Sequence, residues 1–422
     1  MNKKLSEAVQ LVESGQVEKG LKNLSSIEKE LNDEEKFELA EKYFQWGRTD
    51  EALKIAEELS QLYPDESAIT LFLAEIYIEL DDEEKAIDLL NEIDQEDESY
   101  PQALLLMADL YQLQGLYEVS EQKLKEAKRR LPEEKVIDFA LAEHYFHLGK
   151  YRQAIDFYRV VLEEFENIMN VNIHQRIGES LSACGEFEGA LAYFEKAAEE
   201  EEDLDTYFAY GMTALNAGQT KTAIAQFERI KELDPTYHSL YLYLAKSYEQ
   251  EGMVEKSFQI VQEGLQEDPF NKELYLFGGK IALKLKDVDN AENLLKKALE
   301  LDPGYVEAII TLSGVLLNQG KYMETIEMLS EVVERYEEYD PHFDFNLAIA
   351  YHRTEQYEKA LKHYESAYNN FKTDPEYLEN YAYFLLEEGE RAKARKLFKK
   401  ALELDPGNIE YENMLLELED NF

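Results

Sequence analysis

Cysteine is almost missing from this chain of 422 residues: Cys184 stands alone, so no internal disulfide can form. Cations are scarce too, with 44 Lys and Arg against 90 Asp and Glu, a formal charge of -46. Binding a phosphate backbone relies on neutralising it with Lys and Arg, so this balance argues against nucleic acid and equally against anionic membranes. No apolar run approaches the ~18 residues of a membrane span, and Glu7 and Glu13 interrupt any secretory apolar segment after Lys3 and Lys4. These absences predict a soluble cytoplasmic protein with no direct membrane insertion.

Motifs for chemistry are missing as well. The chain has no Gly-rich phosphate loop, no H-E-x-x-H and no paired cysteines. His144 and His147 share a helix face beside Glu143, but a spacing of three without further ligands is a poor zinc pair, and they read as ordinary surface histidines. Cys184 adjoins a turn and reads as a small packed thiol. The expectation is a non-enzymatic protein with no cofactor and no metal.

What is present is repetition. A unit of about 34 residues recurs twelve times, marked by a small residue at Ala8, Ala40, Ala74, Ala108, Ala142, Gly178, Gly211, Ala245, Gly279, Ser313, Ala348 and Ala382. Twelve places further on a second small residue follows, as at Ala52, Ala86, Ala154 and Ala190, with Gly20, Ser120, Ser257 and Thr325 as variants. Two small contact points let two helices cross closely. Between them sits a glycine where the first helix must reverse, since glycine tolerates the left-handed conformation of a helix end. Asp81, Lys286 and Glu355 replace it in three copies, whose turns should be strained but present. All nine prolines fall between helices: Pro64, Pro132, Pro235, Pro269, Pro303 and Pro406 close units, and Pro101, Pro341 and Pro375 open them. Apolar residues recur at helical spacing, and no strand-like alternation competes. After Gly407, an apolar face of Ile409, Tyr411, Met414, Leu415 and Leu418 predicts a helix capping the last repeat.

The pattern resembles the tetratricopeptide-repeat family over essentially the whole chain. Ala40, Tyr43, Gly47, Ala52 and Pro64 match that family's small, Tyr, Gly, Ala and Pro places, while the first copy, with Leu11 and Gly20, matches least. Within the family the chain most resembles the long acidic YpiA-like proteins of Gram-positive bacteria. The resemblance implies an all-α, right-handed superhelical solenoid of about twelve helix-turn-helix repeats with a C-terminal capping helix, whose first helices line a concave groove for segments of other proteins. On this reading residues 1–168 hold repeats one to five, residues 169–408 hold repeats six to twelve, and residues 409–422 cap one continuous solenoid.

One place after the first small residue, a place that faces the groove in this family, stand Glu41, Glu75, Asp109, Glu143 and Glu179. Stacking would turn them into an acidic ladder, flanked by Phe37, Phe44, Leu71, Ile78, Leu105, Phe139 and Phe146. Such a groove suits partner segments with basic and apolar residues. In later copies Tyr243, Lys246, Phe277, Lys280 and Lys284 form a second groove of opposite sign, a partial match to the family's capture of a partner's free carboxylate end. The cluster Arg391, Lys393, Arg395, Lys396, Lys399 and Lys400 reads as a solvated face with cations favourably near a helix end.

Spacing lengthens once, to 36 residues between the unit starts at Lys135 and Val171. With Glu199, Glu200, Glu201, Glu202 and Asp203 at its far end, copy six predicts a bend or soft point near residues 166–204. The function expected is a scaffold or adaptor that binds other cytoplasmic proteins, with self-association left open. The alternative is a peptide-sensing regulator, although such proteins usually carry a DNA-binding or catalytic module that this chain lacks.

Overall fold

The computed structural model describes residues 3–335 and 339–419. Among these residues lie 25 α-helices, packed as twelve consecutive antiparallel pairs and a final helix. The chain divides into two compact units, Met1–Glu201 and Glu202–Phe422. The first holds six pairs, from Lys3–Glu13 with Val17–Ile27 to Ile173–Ala183 with Phe187–Glu200. The second holds six more, from Leu204–Asn216 with Thr220–Leu233 to Pro375–Glu387 with Arg391–Leu404, and ends in Ile409–Glu419. Repeat six therefore lies in the first unit.

The repeat places carry the packing. All twelve first small residues are buried, and where the place is glycine a Cβ would meet the second-helix side chain sixteen places on, Phe194 for Gly178, Phe227 for Gly211 and Leu295 for Gly279. Where that partner is Phe227, only glycine fits: a Cβ on Gly211 would lie 2.6 Å from the ring. At the second small place Ser257 and Thr325 donate to backbone carbonyls of their own repeat, Ser257 to Ala245 at 2.7 Å. Pro101, Pro341 and Pro375 occupy the first turns of their helices, where the missing N–H costs nothing. The turns without glycine are present and strained, with φ of 58° at Asp81 and 60° at Lys286 and Glu355.

Three expectations need correction. A two-residue antiparallel hairpin, Asn167–Ile168 with Val171–Asn172, forms where none was foreseen. Met169 and Asn170 turn it with φ of 50° and 64°, and the extra residues of the 36-residue spacing supply its length. His144 is no surface histidine: it is 1% exposed, with Nδ1 3.1 Å from Gln112 Oε1 and 3.4 Å from Ser120 Oγ. Its place, two beyond the small residue, is buried in other copies too, where Ile76, Leu110 and Ile281 occupy it. In the final helix Tyr411 and Leu418 are buried, but Ile409 is 70% exposed. It starts the helix about 200° around the axis from Tyr411, on the opposite side. Residues 420–422 of the expected cap lie outside the described residues.

Candidate protein-binding groove

The acidic ladder begins on three first helices of the first unit: Asp33–Gln45, Ser67–Glu79 and Tyr100–Leu113. The first and third start on recognisable devices. Asn32 and Glu35 form a reciprocal capping box for the first, and Pro101 opens the third. With each helix phase set, Glu41, Glu75 and Asp109 each occupy the place after a buried alanine. Glu75 is half-buried; loss of water pushes its carboxyl above the ordinary value, Gln102 Nε2 donating at 3.4 Å holds it down, and the negative charge of Glu41 one repeat away adds to the rise. Asp109 remains exposed, yet the protein around it pushes its carboxyl up by desolvation. It shares an open recess of about 590 Å³ with Gln112, Leu113, Tyr117 and His147. No cation of the chain pairs with Glu41, Glu75 or Asp109 among the described residues.

Glu143 and Glu179 are arranged differently. Arg176 sits between them, with Nε 3.2 Å from Glu143 and Nη1 3.0 Å from Glu179, and its guanidinium lies 4.6 Å from the Phe146 ring centre. Tyr158 also donates to Glu143. The upper two acids are thus tied into the protein, and the three open carboxylates lie in repeats two to four.

Beside the open acids, Phe37 and Phe44 meet Phe72 edge-on at 5.4 and 5.7 Å. Phe37 and Phe44 are half-buried, as are Ile78, Leu105 and Phe146. Leu71 and Phe139 are buried, at 5% and 7% exposure, and contribute to packing. In the second unit, Lys280 is engaged by Glu307 and Lys284 by Glu249, each across one repeat. Lys246 is exposed and lies 5.6 Å from the Tyr243 ring centre; Tyr243 packs edge-on against Phe208 at 5.6 Å, and Phe277 is half-buried. Two of the three second-groove lysines are therefore already compensated within the chain.

Over its full length the chain is 49% identical to the TPR repeat-containing protein YpiA of Bacillus subtilis strain 168, covering 100% of both proteins. It belongs to the YpiA-like tetratricopeptide-repeat family. The YpiA-like tetratricopeptide-repeat model matches residues 112–165, the YpiA-like C-terminal repeat model residues 341–408, and a general tetratricopeptide-repeat model residues 43–110. Among solved structures, the APC/C hetero-tetramer Cut9-Hcn1 aligns at 15% identity over 99% of this chain and 96% of that one, with a TM-score of 0.44. YrrB, described as a TPR protein with an unusual peptide-binding site, aligns at 19% identity over 44% of this chain and 95% of its own, with a TM-score of 0.39.

Tetratricopeptide-repeat proteins generally bind other proteins, and this YpiA-like member carries no cluster of metal-ligating side chains among its described residues. No helix there is long and apolar enough to cross a membrane. Sequence reading missed the tie made by Arg176. Arg176 lies 33 residues beyond Glu143, about one repeat, and three before Glu179 on the same helix, a spacing that permits the tie without specifying it. The recess at Asp109 left no such signal, since it depends on which side chains of neighbouring repeats stay out of the core.

Proposed function

We propose that this YpiA-like protein is a non-enzymatic scaffold or adaptor of the cytoplasm that binds extended segments of partner proteins along the first-helix face of repeats two to four. The observation that carries the reading is the stack of Glu41, Glu75 and Asp109, acids left without cations beside half-buried aromatic rings. Two of these carboxyls are held above their ordinary values, so the free protein carries an electrostatic cost that a bound cation relieves. The matching segment bears Lys or Arg at two or more places, with an apolar side chain between them for the Phe37 and Phe44 edges. Charge would steer the encounter, and the apolar contact would supply more of the affinity.

The test is an array of short peptides of graded basic and apolar content, probed with the wild-type chain and with the Glu41→Gln, Glu75→Gln, Asp109→Asn variant. Basic-apolar peptides should bind the wild type and lose about tenfold or more on the variant. Equal binding to both proteins would remove the ladder from the recognition surface. A Glu143→Gln variant should weaken binding less, because Arg176 already holds that acid.

A further inference from the structure

The second helix of repeat twelve, Arg391–Leu404, has the opposite character. It carries Arg391, Lys393, Arg395, Lys396, Lys399 and Lys400 against the single acid Glu403. Its last turn holds no cation, whereas Arg391 and Lys393 lie in its first turn, so the favourable dipole placement expected from sequence is absent. Arg391 with Arg395 and Lys396 with Lys400 are like charges one turn apart, which weaken a helix. The chain compensates only part of this charge. Lys393 is 3.5 Å from Glu390 and Lys400 lies 5.3 Å from the Tyr368 ring centre. Arg391, Lys396 and Lys399 have no ion pair among the described residues.

Beside these cations the surface opens into a recess of about 310 Å³. Its floor is Tyr381, Leu385 and Leu397, all buried, with the half-buried Tyr368 on one wall. Lys393 and Lys396 stand on the rim, with Glu365 opposite. An apolar floor under a lysine rim, in a chain of charge -46, selects for both sign and an anchoring side chain. Screening limits its reach to about 8 Å at physiological salt. The recess itself, about 310 Å³ with only two lysines on its rim, matches a short ligand.

We infer that this recess docks a short acidic segment of another protein, with an aromatic or leucine side chain seated against Tyr368 and Leu397 and flanking carboxylates meeting Lys393 and Lys396. The surface is independent of the first-helix groove and would let the protein hold two partners of opposite charge.

The experiment is fluorescence anisotropy at physiological ionic strength with three dye-labelled peptides: glutamates around one phenylalanine, the same with alanine for phenylalanine, and the same with glutamine for glutamate. The first should bind the wild type, and both counterparts should bind about tenfold more weakly or worse. Lys393→Glu with Lys396→Glu should weaken the first peptide by a similar factor while circular dichroism stays unchanged, and Glu75→Gln with Asp109→Asn should leave it bound. Equal binding of the alanine counterpart would reduce the site to unspecific counter-ion attraction and overturn the inference. So would a bound peptide indifferent to the lysine reversals. Failure of the peptide accompanied by binding to phosphatidylglycerol vesicles would assign the patch to a lipid surface instead. Failure accompanied by lysine-dependent self-association in sedimentation would assign it to a second copy.

Discussion

Single residues in this protein are decided by close approach and by desolvation. Gly211 is the sharpest case, because a methyl group there meets the Phe227 ring at 2.6 Å. Gly211→Ala should destabilise the second unit by about 1–3 kcal/mol, read as a lower denaturation midpoint, and Phe227→Leu in the same chain should recover part of the loss. Glu75 and Asp109 present the reverse situation, side chains kept at a cost to the fold. Their carboxyls are raised above the ordinary range in the folded state, mainly by desolvation, so folding is penalised as pH rises through that range toward neutrality. Glu75→Gln with Asp109→Asn should therefore raise the thermal midpoint at pH 7, and the gain should shrink as pH is lowered toward about 4. A variant that melts lower at neutral pH would show that these acids support the structure, against their assignment to a ligand. The small and proline places were legible in the sequence because each obeys a local steric rule. The burial of His144 was legible only by comparing copies, since its place is apolar in several of them.

At the scale of the helix pair, the reversal between first and second helix is the recurring constraint. Nine copies meet it with glycine at positive φ, and Asp81, Lys286 and Glu355 meet it with a side chain in the same conformation. A residue with a Cβ is disfavoured there by roughly 1 kcal/mol, partly offset by glycine's greater freedom in the unfolded chain. Lys286→Gly and Glu355→Gly should each stabilise by about 0.5 kcal/mol, seen as slower amide exchange in the flanking turns. Unchanged exchange would mean that contacts of the native side chain offset the strain. Between pairs, side chains bridge neighbouring repeats: Lys321 lies 2.7 Å from Glu292, and together with Lys296, one turn on in the same helix at 2.8 Å, it holds that carboxyl down to about 2. The hairpin at 167–172 was hidden because two strand residues on either side of Met169 and Asn170 are too few to show alternation.

For the molecule as a whole, net charge is the dominant long-range term. At -46 the folded chain repels itself, and salt screens that repulsion. The thermal midpoint should therefore climb as sodium chloride is raised from about 20 to about 500 mM, whereas a falling midpoint would show that ion pairs such as Lys272 with Asp302, at 2.6 Å, outweigh the repulsion. The sequence by itself determined the number of repeats, the helix-turn-helix register and the buried small places, because each follows from steric rules that act within some 34 residues and are read twelve times. Tertiary structure alone decided which charges remain open. Glu41, Glu75 and Asp109 look no different from Glu143 and Glu179 in the alignment of copies, yet Arg176 occupies the last two and leaves the first three unpaired. Likewise Lys280 and Lys284 are spent on Glu307 and Glu249, while the rim of Lys393 and Lys396 stands over an apolar floor. Compensation of a charge depends on side chains a repeat or more away in sequence, and their distance in space is fixed only when the helices pack.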